Sequence, residues 1–334
     1  MPEIYLTIFF ISLLLFLLGS GIWVALSMIA VSAIGMLLFT TRPVGDAMAT
    51  TIWGTSSSWT LTALPLFVWM GEILFRTKLS ENLFKGLSPW LSKLPGGLVH
   101  VNVVGCALFA AISGSSAATV ATVGKMSIPE LRKRKYPEKL LLGTLAGSGT
   151  LGLLIPPSII LIIYGVTIED SIAKLFMAGI IPGVMLAVLF MLYVIFWSIL
   201  NKKLMPKSIK NFSFVEKVQR SKQLLPVIFL ITSIIGSIYT GIATATEAAS
   251  LGVVGALILS FFQGTLSKKT FNLSLLGATK TSCMIAFIIA GSTFLSLAMG
   301  FTGLPRNLAI WIDGMNLSPY TLLFVLTIFY IILG

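Results

Sequence analysis

The chain has 334 residues, of which 56% are hydrophobic and only 10% charged, and its mean hydropathy is +0.99. A water-facing globule carries about 25% charged residues, so these proportions exclude a soluble enzyme or nucleic-acid binder and indicate an integral membrane protein, with room for roughly ten passes of about 20 residues each. The formal net charge of +12 resides in short polar gaps between apolar stretches, where it orients a chain in a lipid bilayer.

Met1-Pro2-Glu3 puts no base ahead of the first apolar run, which reads as a retained helix and not a cleaved leader. Apolar runs occupy 4–18 and 22–39, separated by Gly19-Ser20-Gly21, and then 59–75. In residues 79–94, Leu79, Leu83, Leu87, Trp90, Leu91 and Leu94 recur at helical spacing opposite Lys78, Glu81, Lys85 and Lys93. That pattern predicts an amphipathic helix lying in the membrane interface. An uncharged stretch, 98–124, precedes a basic loop, 125–139, that contains Arg132-Lys133-Arg134-Lys135. Further runs lie at 140–165, 175–200, 223–239, 242–262, 281–299 and 319–334. A second amphipathic helix, 304–315, sets Leu304, Leu308, Trp311 and Ile312 against Arg306 and Asp313. Cys106 and Cys283 each sit alone in an apolar run, read as small buried residues, and offer no disulfide or metal spacing.

Bases mark the cytoplasmic side. The gaps 76–93, 125–139, 202–222 and 268–280 hold 4, 6, 7 and 3 of them, 20 of the 23 in the chain. The runs then alternate across the bilayer and the N-terminus falls outside. Segment 98–124 breaks the alternation, because cytoplasmic gaps flank it on both sides. Its 27 residues are too few for two full spans at about 1.5 Å per residue, yet suffice for two half-length arms meeting near the midplane. Ser113-Gly114-Ser115-Ser116 at its middle suits a turn that exposes backbone polar groups, which a bilayer tolerates only inside protein or beside a water-filled cavity. The segment is therefore read as a re-entrant hairpin, the alternative being a single span with one basic loop wrongly assigned.

The next run is interrupted. Glycines from Gly143 to Gly152 lead into Ile155-Pro156-Pro157-Ser158, and the paired prolines remove two amide donors while pushing Ile155 out of helical geometry. A broken helix is expected here, with a plain proline kink as the alternative.

The order short span, short span, span, amphipathic helix, apolar arm occurs twice. It runs 4–18, 22–39, 59–75, 79–94, 98–112 and again 223–239, 242–262, 281–299, 304–315, 319–334. The two copies begin on opposite sides, which makes an inverted-topology repeat. A first repeat is assigned to 1–222, including the broken span 140–165, the span 175–200 and the basic cytoplasmic loop 201–222. An incomplete second repeat covers 223–334, and Gly334 is expected near the tip of a second hairpin. The predicted fold is thus an all-α polytopic membrane protein with re-entrant hairpins and broken helices.

Four motifs now stand in order: Leu94-Pro95-Gly96-Gly97-Leu98; Ala110-Ala111-Ile112-Ser113-Gly114-Ser115-Ser116-Ala117; Gly149-Thr150-Leu151-Gly152 with Ile155-Pro156-Pro157-Ser158-Ile159; and Thr246-Glu247-Ala248-Ala249. Together they resemble the large membrane subunit of the tripartite ATP-independent periplasmic (TRAP) transporters, over essentially the whole chain. The resemblance implies an elevator-type carrier in the bacterial cytoplasmic (inner) membrane that uses a sodium gradient to import organic acids, such as C4-dicarboxylates or sialic-acid-like carboxylates. It also implies two partners, a periplasmic substrate-binding protein and a small four-span membrane subunit, with sodium as the coupling ion and no other cofactor. Ala245 stands where the family usually has a proline. The family's second hairpin tip and second broken helix, which complete the substrate site and a further sodium site, are expected beyond Gly334.

Sodium favours oxygen ligands, and an unwound segment frees backbone carbonyls that hydroxyls can supplement. The candidate ligands are Ser113, Gly114, Ser115 and Ser116 at the hairpin tip, with Gly149, Thr150, Gly152, Pro156, Pro157 and Ser158 at the break. Small-residue helix packing is the alternative role for each serine. An anionic substrate needs positive potential without a buried base, and the amides after Ser115 and near Ser158 supply it as half-helix N-termini. Glu72 is placed either as a partner of Arg76 or Lys78 or as an ion relay, and Glu247 either as a helix cap aided by Thr246 or as a relay. His100, beside Asn102, is read as an interfacial anchor. No HExxH, GxSxG or paired intramembrane aspartates suggest an enzyme, and Gly124-Lys125 lacks the glycine of a phosphate-gripping loop, Thr119 standing in its place. Two readings remain beside the TRAP carrier: a transport-inactive structural partner, and a related elevator carrier that works without a binding protein.

Overall fold

The structure, a computed structural model, describes residues 3–206 and 212–333. All regular elements among them are helical. In chain order they are α1 (Glu3–Gly19), α2 (Val24–Phe39), α3 (Val44–Ser56), a 3-10 turn at Trp59–Thr62, α4 (Ala63–Phe75), α5 (Leu79–Leu91), a 3-10 turn at Gly97–Val99 and α6 (His100–Ser113). Next come α7 (Ser116–Lys133), α8 (Glu138–Gly149), α9 (Leu151–Leu154), α10 (Ile159–Thr167), α11 (Ile172–Leu200) and a 3-10 turn at Lys202–Leu204. The last are α12 (Phe214–Ser221), a 3-10 turn at Lys222–Leu224, α13 (Leu225–Tyr239), α14 (Ala245–Phe262), α15 (Lys268–Phe301), α16 (Leu304–Asp313) and α17 (Pro319–Leu333). Five stretches among the described residues are long and apolar enough to cross a membrane: Glu138–Thr167, Ile172–Leu200, Phe214–Tyr239, Ala245–Phe262 and Lys268–Phe301. With α1, α2, α6 and α17 as shorter apolar helices, the chain is an all-α polytopic membrane protein.

Two compact units form. One comprises Met1–Ser57 and Ile285–Gly334, the other Ser58–Met284. In the first, α1 packs on α2 and α16, and Gly35 lets the Phe10 ring approach to where a Cβ would stand, 2.5 Å away. Met36, Phe294 and Ala298 form its buried cluster. In the second unit α4 lies along α14, and α6, α7 and α8 pack on one another with α5 against α6 and α7. Phe84, Leu98, Val101, Leu131 and Leu141 are the core beneath α5. The amphipathic stripe of α5 buries Leu79 and Leu83 and leaves Trp90 exposed. The units cut across the repeat boundary expected at 222/223, each drawing helices from both halves of the sequence.

Several boundaries differ from expectation, and hydropathy is the common reason: it marks where a segment leaves the bilayer, not where a helix ends. Residues 44–56 form α3 although Asp46 and three threonines kept them out of the apolar runs. The basic segment 125–139 is largely helix, because α7 runs on to Lys133 through Pro129. Likewise 268–280 is no loop but the first part of the 34-residue α15, about 51 Å long. Cys283 is exposed and only Cys106 is buried, since the α15 face carrying Cys283 is not covered by this chain. Gly334, the expected hairpin tip, and 207–211 of the basic segment lie outside the described residues.

The segments expected to repeat hold α1, α2, α4, α5 and α6, of 17, 16, 13, 13 and 14 residues, and α13, α14, α15, α16 and α17, of 15, 18, 34, 10 and 15.

Candidate functional site

The hairpin turns where α6 can go no further. Gly114 takes the left-handed conformation, φ 58° and ψ 8°, which glycine reaches without a Cβ penalty, and its amide donates to Ala110 O at 3.0 Å. Ser115 then extends as the N-cap of α7. Three oxygens gather at this tip: Thr119 Oγ1 lies 2.9 Å from Ser113 Oγ and donates to Ser115 O at 2.7 Å, while Ser113 Oγ is 3.3 Å from that same carbonyl. Ser116 Oγ is buried beside them without a hydrogen-bond partner. At its base the hairpin is tied as well, the Leu98 amide donating to the Tyr136 hydroxyl at 3.1 Å.

The break lies at residues 155–158, between α9 and α10. Ile155 is extended, φ −76° and ψ 121°, and the Pro156-Pro157 bond is cis. Ser158 occupies the N-cap position of α10, yet its hydroxyl donates backward to Leu153 O at 2.6 Å and so does not cap the helix. The structure brings this break onto the hairpin tip. Ile159 N donates to Gly114 O at 3.2 Å, and a Cβ on Gly114 would stand 2.9 Å from Pro157 O. Gly152 approaches Ser115 equally closely, its Cβ position 2.9 Å from the Ser115 carbonyl carbon. Across the hairpin, Gly71 of α4 lies 3.0 Å from Ser113 Cα by the same measure. The amides of Ser116 and Ala117 in α7, and of Ile160 and Leu161 in α10, precede the first intrahelical bonds and have no acceptor within their helices. Two helix N-termini with their positive potential thus meet at a cluster of hydroxyl and carbonyl oxygens, an arrangement suited to a carboxylate and a hard cation side by side.

Other expected members fall elsewhere. Gly149 and Thr150 are not at the break: the chain stays helical through them, since Thr150 has φ −65° and ψ −17°. Thr150 is exposed and its hydroxyl donates to Gly147 O at 2.7 Å on its own helix. Gly149 makes room for Val120, whose Cγ2 would lie 2.0 Å from a Cβ there. Glu72 is ion-paired with Arg76, the i,i+4 partner. Glu247 forms a capping box with Thr244 and not with Thr246: Thr244 N and Oγ1 each donate to Glu247 Oε2 at 2.8 Å, and Glu247 N donates back at 3.3 Å. Ala245 is the first residue of α14, a position that accepts proline or alanine alike. His100 and Asn102 are wholly buried and anchor nothing at an interface. The His100 Nε2 is 2.8 Å from Pro95 O. Asn102 Nδ2 donates to Leu141 O and Thr144 Oγ1, both at 3.2 Å, joining α6 to α8. Sequence reasoning missed Thr119 and Gly71. Thr119 could have been found as the hydroxyl one turn into the second arm, where it faces back to the tip.

Comparison with known proteins agrees with this architecture. Residues 10–334 match the family profile described as "Tripartite ATP-independent periplasmic transporter, DctM component". The chain is 34% identical over 303 residues to the C4-dicarboxylate TRAP transporter large permease protein DctM of Pseudomonas aeruginosa, covering 90% of this chain and 70% of that one. It is 31% identical over 323 residues to the sialic acid TRAP transporter large permease protein SiaM of Vibrio cholerae, covering 95% and 74%. It is also 31% identical over 295 residues to the isethionate TRAP transporter permease protein DctMQ of Oleidesulfovibrio alaskensis, covering 86% of this chain and 45% of that protein. With its polytopic helical fold, its hairpin and its broken helix, this chain belongs to the DctM family of TRAP transporter large permeases.

Proposed function

We propose that the chain carries the translocation pathway of a sodium-coupled, elevator-type TRAP importer for a small organic anion, and is a permease and not an enzyme. What carries the reading is the junction at Gly114 and Ile159, where two half-helix N-termini meet a cluster of oxygens. Sodium ions would take the oxygens of Ser113, Ser115, Ser116 and Thr119, and the anionic group would face the free amides of α7 and α10. The relatives' names refer to C4-dicarboxylate, sialic acid, isethionate and ectoine, each of which carries a carboxylate or sulfonate group, and this supports a substrate with an acid group here. A periplasmic binding protein would deliver it, and a small membrane subunit would stand beside the chain; the name DctMQ given to one relative supports that pairing. The distribution of bases favours an inner-membrane orientation with the N-terminus outside.

The test is uptake of labelled dicarboxylate, sialic acid and isethionate into proteoliposomes containing this chain with its small subunit and binding protein. Uptake of one of them that requires an inward sodium gradient is expected. Equal uptake when potassium replaces sodium would overturn the coupling, and no uptake without loss of folding would favour a purely structural subunit.

A further inference from the structure

A cavity of about 720 Å3 opens between α5, the polar end of α7 and α12. Lys85, Lys125, Lys133, Arg134 and Arg220 line it against only two carboxylates, Glu81 and Glu130, a net of +3. Both carboxylates are already engaged. Lys85 donates to Glu81, and this bond with its attached charge holds the Glu81 carboxyl below its ordinary range. Arg134 Nε donates to Glu130 Oε1 at 2.8 Å. Lys125, Lys133 and Arg220 are left with no carboxylate within ion-pair distance among the described residues. The Arg220 guanidinium lies over the Phe212 ring at 4.8 Å, which steadies the fork while its N–H donors stay available.

Depth and surroundings narrow the ligand. Arg220 stands three positions before the apolar run 223–239, about 5 Å along a helix axis, from where a long basic side chain reaches the headgroup layer. Phe212 lines the cavity, and Phe214 and Val215, two and three residues further along the chain, are 71% and 70% exposed. Trp90, 44% exposed, donates from its indole to Ser221 Oγ at 2.7 Å in the manner of an interfacial aromatic. A freely diffusing anion would use the bases alone. A phospholipid would use both the bases and the apolar rim.

We propose that this cavity seats the phosphate headgroup of an anionic phospholipid, held by Lys125, Lys133 and Arg220, with its acyl chains against the rim at Trp90, Phe214 and Val215. The assignment rests on the chain lying in a membrane and is independent of the transport reading.

The test is the melting temperature of the detergent-purified chain titrated with phosphatidylglycerol, phosphatidylcholine or glycerol phosphate, since a ligand that binds only the folded state raises it. Phosphatidylglycerol is expected to act at a concentration at least about tenfold lower than phosphatidylcholine, given about fivefold per base near an anionic surface. That preference should vanish in the Lys125→Gln, Lys133→Gln, Arg220→Gln triple variant. It should persist in the Lys268→Gln, Lys269→Gln, Lys280→Gln variant, which loses the same charge from α15. Should the first variant fold poorly, the unaltered protein decides alone: the preference must collapse between about 0.1 M and 1 M salt, as screening shortens from about 10 Å to about 3 Å. Equal action of the two lipids, a preference that survives the triple substitution or high salt, or glycerol phosphate acting as well as the lipid would each overturn the proposal.

Discussion

The amide of Ile159 donates to the carbonyl of Gly114 at 3.2 Å, and this one backbone bond joins the tip of a re-entrant hairpin to the start of the second half of a broken helix. Both partners are at chain points where regular hydrogen bonding stops, so each satisfies a group that the other's helix leaves over.

Gly114→Ala should therefore be costly. The left-handed backbone penalises a side chain by about 1–2 kcal/mol, and the added methyl would meet Pro157 O at 2.9 Å. A melting temperature lowered in detergent together with abolished uptake is expected. Gly143→Ala is the control, because nothing lies within 4 Å of the new methyl and a helix-interior glycine gains about 1 kcal/mol on this change.

Thr119→Val keeps the shape of the side chain and removes the hydroxyl that bridges Ser113 and Ser115. The Ser115 carbonyl keeps the Thr119 amide at 3.0 Å and Ser113 Oγ keeps that carbonyl at 3.3 Å, so the cost is the net worth of the lost bonds, about 0.5–1.5 kcal/mol each. If the oxygens hold sodium, the sodium concentration giving half-maximal uptake should rise at least about tenfold, and Thr119→Ser should restore it. Thr150→Val should leave the sodium dependence unchanged, since that hydroxyl serves only its own helix.

Glu247 distinguishes a cap from a relay. Glu247→Gln can still accept from the Thr244 amide and should retain sodium-driven uptake, whereas Glu247→Ala removes the acceptor side of the capping box and should lower the melting temperature. Ala245→Pro should be tolerated at the first position of α14. Melting curves and initial uptake rates check all three, and loss of coupling in Glu247→Gln would restore the relay.

Asn102→Leu replaces a buried amide of similar volume and deletes both bonds to α8. The Thr144 hydroxyl retains Leu140 O as acceptor at 2.7 Å, so the expected loss is the net worth of the lost bonds, about 1–3 kcal/mol, seen as a lower melting temperature.

Much of this was legible in the chain. The hairpin followed from bases on both sides of 98–124, and its turn from Gly114 among serines, because only glycine enters the left-handed region freely. The break followed from Pro156-Pro157, which cannot donate. What escaped was of two kinds. Helix ends beyond the bilayer escaped because Lys125 and Lys268 signal a change of solvent and not a change of backbone. Side-chain partners distant in sequence escaped because nothing local distinguishes Thr119, which bonds the tip, from Thr150, which bonds its own turn.

The Tyr136 hydroxyl accepts the Leu98 amide at 3.1 Å at the opposite end of the hairpin from Gly114. Parting the two arms at that end breaks this bond, at a net cost of about 0.5–1.5 kcal/mol, whereas moving them together like a single plank leaves it intact. Removing that bond, as in Tyr136→Phe, should then loosen the tip that it never touches.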